Sequence, residues 1–311
     1  MKINTPKTPE ELYSSIIAQV KGQGVVVAIT GGLACVQFGV AHYTEDCDLI
    51  CRPADAQRLF DLLCKTGFKG TACQYRSLSA PLDERWLSGG YTAHFLWPRT
   101  GDEKPFLDVF GVPPRVSAPW QNQMRGAFAS PHTVAEMKRT KRRRDWDQAT
   151  ALGLQMIEQG DTRGWLHIFN PEVIENLIKQ VKPTENEIAQ RPVLRLAAEG
   201  SPVLTRAIQT EVDFWSHLDR IRLSIYQTAS KPYARTVHRV LKASNLDLAA
   251  HHRVLVQHAE NLLPISPLQE YGWERLVSEA RDATAVGLDP KMLDVLPTVS
   301  ESAFRPTTLE L

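Results

Sequence analysis

Two aspartates one residue apart, Asp46 and Asp48, open the apolar run DCDLIC. In a strand, residues i and i+2 share a face, so both carboxylates point one way while Cys47 and Leu49 point the other. Like charges side by side repel unless a cation lies between them. Carboxylate oxygens suit Mg²⁺, which takes one or two protein carboxylates and fills its shell with water and substrate phosphates. A third carboxylate, Asp108, interrupts the segment FLDVF at 106–110, where a lone charge is costly to bury unless paired or coordinating. If that segment lies beside the first, Asp108 completes a three-carboxylate site that can share one of two metal ions and accept a proton from an attacking hydroxyl. The structural alternative is an ion pair with an arginine such as Arg115.

Upstream, the β-branched run VVVAIT (25–30) ends in Gly31-Gly32. Glycines before a helix let phosphate oxygens approach backbone N–H groups, and the helix dipole favours the negative charge. Metal-binding carboxylates beside a phosphate-binding turn are what phosphoryl or nucleotidyl transfer requires. Taken singly, each feature has a plainer meaning: a turn, a solvated acidic pair, a structural ion pair.

The elements that must position these residues are legible in outline. Thr8, Pro9 and Glu11 predict a helix start, with Leu12, Tyr13, Ile16, Ile17 and Val20 on one face and Gly22 and Gly24 as its end. Strands are expected at 25–30, 46–52, 71–77, 91–97 and 106–110, with helices over 33–40 and 54–66. Thr133 and Glu136 form a capping pattern that predicts one helix to Gln159. On it Val134, Lys138, Lys141, Asp145, Ala149, Leu152 and Met156 share a stripe, which would turn Lys138 and Lys141 toward the sheet. Six of the seven residues 138–144 are basic, a cluster suited to triphosphate or an RNA backbone, or else a solvated helix face. Beyond it, helical spacing recurs at 171–181, 203–228, 232–243, 247–262 and 268–285, and the tail from Pro297 reads as extended or disordered. The expectation is an α+β chain: an α/β domain over 1–160 followed by an α-helical domain over 161–311.

The 311 residues carry 36 Lys+Arg against 35 Asp+Glu, with 23% charged and 43% hydrophobic residues, which is globular composition. Near-zero net charge argues against a whole-surface nucleic-acid binder but leaves room for a local basic patch. No apolar run approaches the ~18 residues of a membrane span, and the N-terminus has no apolar leader, so no membrane partner and a cytoplasmic location are expected. The five cysteines (35, 47, 51, 64, 73) read as buried, reduced thiols. There is no P-loop, no H-E-x-x-H and no G-x-S-x-G motif. His42 and His94 could approach the cleft, although ordinary core or surface roles account for them.

Strand, Gly-Gly, short helix, Asp-x-Asp and a later strand-borne Asp, taken together over residues 20–150, resemble the nucleotidyltransferase superfamily related to DNA polymerase β. Gly31–Ile50 followed by a Lys/Arg/Asp-rich helix looks most like the abortive-infection AbiE-type toxin nucleotidyltransferases. The resemblance implies a minimal nucleotidyltransferase domain with a mixed sheet. It implies that Gly31 and Gly32 hold the triphosphate of an NTP, with Thr44 a further phosphate contact. Asp46, Asp48 and Asp108 would hold two Mg²⁺ ions, and Lys138, with Lys141 nearby, would contact phosphate. It further implies a toxin-like enzyme whose acceptor is an RNA 3′ end, such as tRNA, or a protein hydroxyl, with a cognate antitoxin as candidate partner. Two alternatives stand beside it. One is a catalytically silent binding module of the same fold. The other is a small-molecule, antibiotic-modifying nucleotidyltransferase, for which an acidic rather than a basic acceptor pocket is expected.

Overall fold

Thr8 starts the first helix, its hydroxyl accepting the Glu11 N–H at 3.2 Å. The computed structural model describes residues 6, 8–44, 46–76, 79–101, 103–116, 127–242, 246–288, 290–299 and 301. Its first half runs α1 (Pro9–Gly22), β1 (Val27–Thr30), α2 (Gly31–Gln37), β2 (Asp46–Cys51), α3 (Ala56–Leu63), β3 (Gly67–Phe68), β4 (Thr71–Ala72), β5 (Gln74–Tyr75), α4 (Glu84–Ser88), β6 (Thr92–Leu96) and β7 (Phe106–Phe110). There follow α5 (Pro131–Met137), α6 (Arg143–Glu158), α7 (Pro171–Leu177), α8 (Glu185–Gln190), α9 (Val193–Ala198), α10 (Leu204–Leu241), α11 (Leu248–Leu262), α12 (Pro267–Tyr271) and α13 (Trp273–Ala285). The chain is a mixed α+β protein whose later half is helical.

Five strands form one mixed sheet in the order β1-β2-β7-β6-β5, in which β2 and β7 are parallel and the other neighbours antiparallel. Alternation divides its faces. Cys47, Leu49, Leu107, Val109, Ala93 and Phe95 point into a core completed by α1 and α3. On the opposite face Ile50 is covered by Ala34, Val134, Ala135 and Leu152 from α2, α5 and α6. That cover leaves the start of β2, with Asp46 and Asp48, facing a cleft.

A second core gathers Trp165, Phe169, Leu194, Phe214, Trp215 and Leu276. Helix α10, 38 residues long, reaches both cores: Phe214 and Leu218 enter the second, Tyr233 and Val237 the one beneath the sheet. Leu248, Leu255 and Ala259 of α11 join the sheet core too, so segments after residue 160 help to bury the strands.

Several boundaries differ from expectation. Gly31 and Gly32 form the first turn of α2 rather than a turn ahead of it. The strand expected at 71–77 divides: β4 pairs only with β3, while β5 is the edge of the main sheet. The single helix expected from Thr133 is two, begun by Ser130, whose hydroxyl accepts the Thr133 N–H, and interrupted after Met137. The helices expected at 203–228 and 232–243 are one, running through Pro232. Thr228, whose carbonyl loses its helical donor there, is exposed, so water can satisfy it. The stretch 268–285 is divided at Gly272, which has φ 96°. Cys64 is exposed, whereas the other four cysteines are buried. Residues 302–311 of the tail lie outside the described residues.

Candidate active site

Register brings the carboxylates together. Asp48 of β2 is the partner of Asp108 in the parallel β7, and Asp108 is in turn the partner of His94 in β6. In-register side chains share a face, so Asp48, Asp108 and His94 form one row across three strands, with Asp46 two residues up β2. Gly31 sits over this row at φ 62°, and a Cβ there would fall on the Asp48 carboxylate. The Gly32 N–H donates to that carboxylate. A Cβ on Gly32 would meet Thr44 Oγ1 at 2.8 Å, and Thr44 Oγ1 accepts the Asp46 N–H at 3.3 Å. The two glycines are therefore required by the close approach of Asp48 and Thr44.

Asp48 holds its proton far more tightly than an ordinary carboxyl. Burial raises it, Asp108 raises it further and Asp46 adds to that. Lys138 and the Gly32 N–H oppose them, and the result is a value pushed up to about 7. Asp108 is differently placed. His94 Nδ1 donates to its Oδ1 at 2.7 Å, and Arg76 Nη1 lies 3.7 Å from the same oxygen. The structural alternative, an ion pair of Asp108 with an arginine, therefore does form, with Arg76 and not with Arg115, which pairs with Asp219.

The cationic wall comes from the break between α5 and α6. Asp145, fully buried, collects Lys138 Nζ at 3.3 Å, Thr140 Oγ1 at 2.6 Å and Arg142 Nε at 2.7 Å, pulling 138–142 into a loop. Lys138 reaches the cleft, then, without the continuous helical stripe that was expected to aim it. Arg139 turns inward, its guanidinium 4.8 Å from the Trp215 ring, while Lys141, Arg142, Arg143 and Arg144 are exposed. Arg115, buried at φ 68°, donates to the carbonyls of Glu136 at 3.3 Å and Met137 at 2.6 Å, capping the end of α5, and to Asp219 of α10 at 2.6 Å. Asp219 also accepts from Arg222 Nη2 at 3.2 Å.

These walls enclose a cavity of about 290 Å³. Gly31, Gly32, Thr44, Asp46, Asp48, Lys138 and Lys141 all line it; Asp108 does not, and acts on it through the charge it places beside Asp48. The lining carries six Lys and Arg side chains against three carboxylates. The grouping of Arg115 with Asp219 and Arg222 was not legible in the sequence, since no local pattern marks an arginine and an aspartate 104 residues apart as partners.

The donors at the start of β2 are hard oxygens crowded by their own charge, which fits Mg²⁺. Among the described residues no three His, Cys, Asp or Glu side chains are arranged to hold a metal ion, and Asp108 is engaged by His94 and Arg76. Asp46 and Asp48 are the two carboxylates of this strand that line the cavity, while Asp108 stays with His94 and Arg76. The chain matches no protein-family model, no curated protein and no solved structure.

Proposed function

We propose that the protein is a Mg²⁺-dependent nucleotidyltransferase that moves the NMP of an NTP to an acceptor hydroxyl. The observation that carries this reading is the opposition, across one cavity, of Asp46 and Asp48 at the Gly31-Gly32 turn to the cations of the 138–144 loop and α10. Asp46 and Asp48 would hold the metal, joined by Asp108 only if it leaves His94 and Arg76, and the metal would supply polarisation of the phosphate oxygens. Lys138, Lys141 and the neighbouring arginines offset the charge of the triphosphate and of the departing pyrophosphate. The acceptor oxygen bonds to the α-phosphorus as the bond from that phosphorus to its bridging oxygen breaks, and the electron pair leaves with pyrophosphate. The acceptor hydroxyl's proton goes to a carboxylate of the same face.

The cationic excess of the lining disfavours a cationic antibiotic, so RNA or a protein hydroxyl is the acceptor we propose, in a toxin-like role with a cognate antitoxin. A second reading, a catalytically silent module of the same fold, is favoured by the engagement of Asp108 with His94 and of the Gly32 N–H with Asp48. Transfer of label from each α-³²P-NTP to total RNA or lysate protein, with Mg²⁺, separates the two. Product from wild type but not from Asp46→Asn/Asp48→Asn supports transfer, and nuclease sensitivity gives the acceptor class. If no NTP labels anything, the enzyme reading is lost.

A further inference from the structure

Asp219 is only 4% exposed and serves two guanidinium groups, so the trio Arg115–Asp219–Arg222 keeps one net positive charge at the cavity wall. The two arginines differ in what they have left. Arg115 spends its donors on Asp219 and two backbone carbonyls. Arg222 has Asp219 alone, and its buried Nε has no hydrogen-bond partner among the described residues. A buried donor without an acceptor is destabilising until something supplies one. Arg222 is also held in place before any ligand arrives, with its guanidinium 5.9 Å from the Tyr226 ring, and that ring is fixed by a hydrogen bond from its hydroxyl to the Gly89 carbonyl at 2.9 Å.

The groups expected to hold phosphate are more committed. Lys138 is bonded to buried Asp145, and the Gly32 N–H donates to Asp48. Lys141 and Arg144, on the rim of the same cavity, form no ion pair among the described residues. A planar guanidinium matches two phosphate oxygens at once, which an ammonium does not.

We propose that Arg222 of α10, with Lys141 and Arg144 lining the same cavity, binds the polyphosphate group of the nucleotide, so that the helical half supplies a phosphate-binding side chain. The identity of the ligand as a nucleotide rests on the transferase reading, but the binding of a polyphosphate anion does not. The test is calorimetric titration of the full chain with inorganic tripolyphosphate in metal-free buffer. Wild type binds, and Arg222→Gln binds about tenfold more weakly or worse, as expected for loss of a charge-assisted contact. Asp46→Asn/Asp48→Asn binds at least as well as wild type. Arg222→Lys, which keeps the charge and the packing stem, falls between and decides the matter if Arg222→Gln does not fold. Equal binding by wild type and the folded Arg222 variants overturns the proposal. So does no binding by wild type, or a loss seen only with a 5′-hydroxyl oligoribonucleotide and not with tripolyphosphate. Arg222-dependent tripolyphosphate binding without any label transfer would sink the transferase and leave this site standing.

Discussion

Asp48 and Asp219 line the same cavity and have opposite proton affinities. Asp48 is pushed up to about 7, because burial and the neighbouring Asp108 and Asp46 outweigh Lys138 and the Gly32 N–H. Asp219 is buried as well, and burial alone would raise it, but Arg115 and Arg222 hold it below the usual carboxylate range. One carboxylate has too few cations and the other two, so the first is where a cation can be gained and the second is a clamp. Asp145, shared by Lys138 and Arg142, belongs with the clamps.

The largest expected effect follows from removing a clamp. Asp219→Asn leaves the guanidinium of Arg115, 3% exposed, without its counter-charge, and breaking a buried pair from one side costs about 3–5 kcal/mol. Urea unfolding at pH 7 measures it. A loss below about 1 kcal/mol, the size of a surface pair, would show that the trio is not a clamp. The pH dependence gives a second reading of the same difference. A lowered carboxylate contributes stability above its unfolded value of 3.8, lost as pH falls through the folded value, so Asp219→Asn flattens the acid limb. Asp48 runs the other way: its contribution declines as pH rises from its ordinary 3.8 to about 7, so Asp48→Asn is at least as stable as wild type at pH 8.

The next effect is on metal binding. A cation that enters beside Asp48 relieves its repulsion, and at about ten times its Kd adds about 1.4 kcal/mol. Mg²⁺ should raise the melting temperature of wild type at pH 8, less at pH 5 where protons compete, and not at all in Asp48→Asn. An equal rise in Asp48→Asn would place the ion elsewhere and dissolve the contrast between the two aspartates.

The sequence exposed one side of that contrast and hid the other, for physical reasons. Asp46 and Asp48 share a face because a strand has period two, and nothing distant can change that. The pairing of β2 with β7 is non-local, so the sequence could state Asp108 as a third carboxylate only on condition that the strands meet. The condition holds, and yet β6 intervenes with His94, whose partnership no spacing announces. The break at 138–142 carries no glycine or proline, and the helical period continues across it. It is made by Asp145 gathering three side chains and by Arg115 capping α5 from a loop more than twenty residues away. Conversely, Pro232 reads as a stop and is not one: the helix runs through it, and Thr228, whose carbonyl it frees, is an exposed residue.

The smallest effect lies within the basic run. Lys141, Arg142, Arg143 and Arg144 are all exposed, but only Lys141, Arg142 and Arg144 line the cavity. Arg142 is tied to Asp145, so its replacement mixes stability with binding. Lys141→Ala and Arg143→Ala differ cleanly. Each should change unfolding free energy by no more than about 0.5 kcal/mol, as surface substitutions do. If the run is one solvated face steering anions by bulk charge, the two variants weaken tripolyphosphate binding alike, and about 0.15 M salt abolishes both effects, because exposed charges beyond a Debye length are screened. If the cavity is the binding site, Lys141→Ala weakens binding about two- to fivefold and keeps that loss in salt, about the worth of one ordinary hydrogen bond. Arg143→Ala then leaves the isotherm unchanged, and site and surface are told apart by two residues of the same cationic stretch.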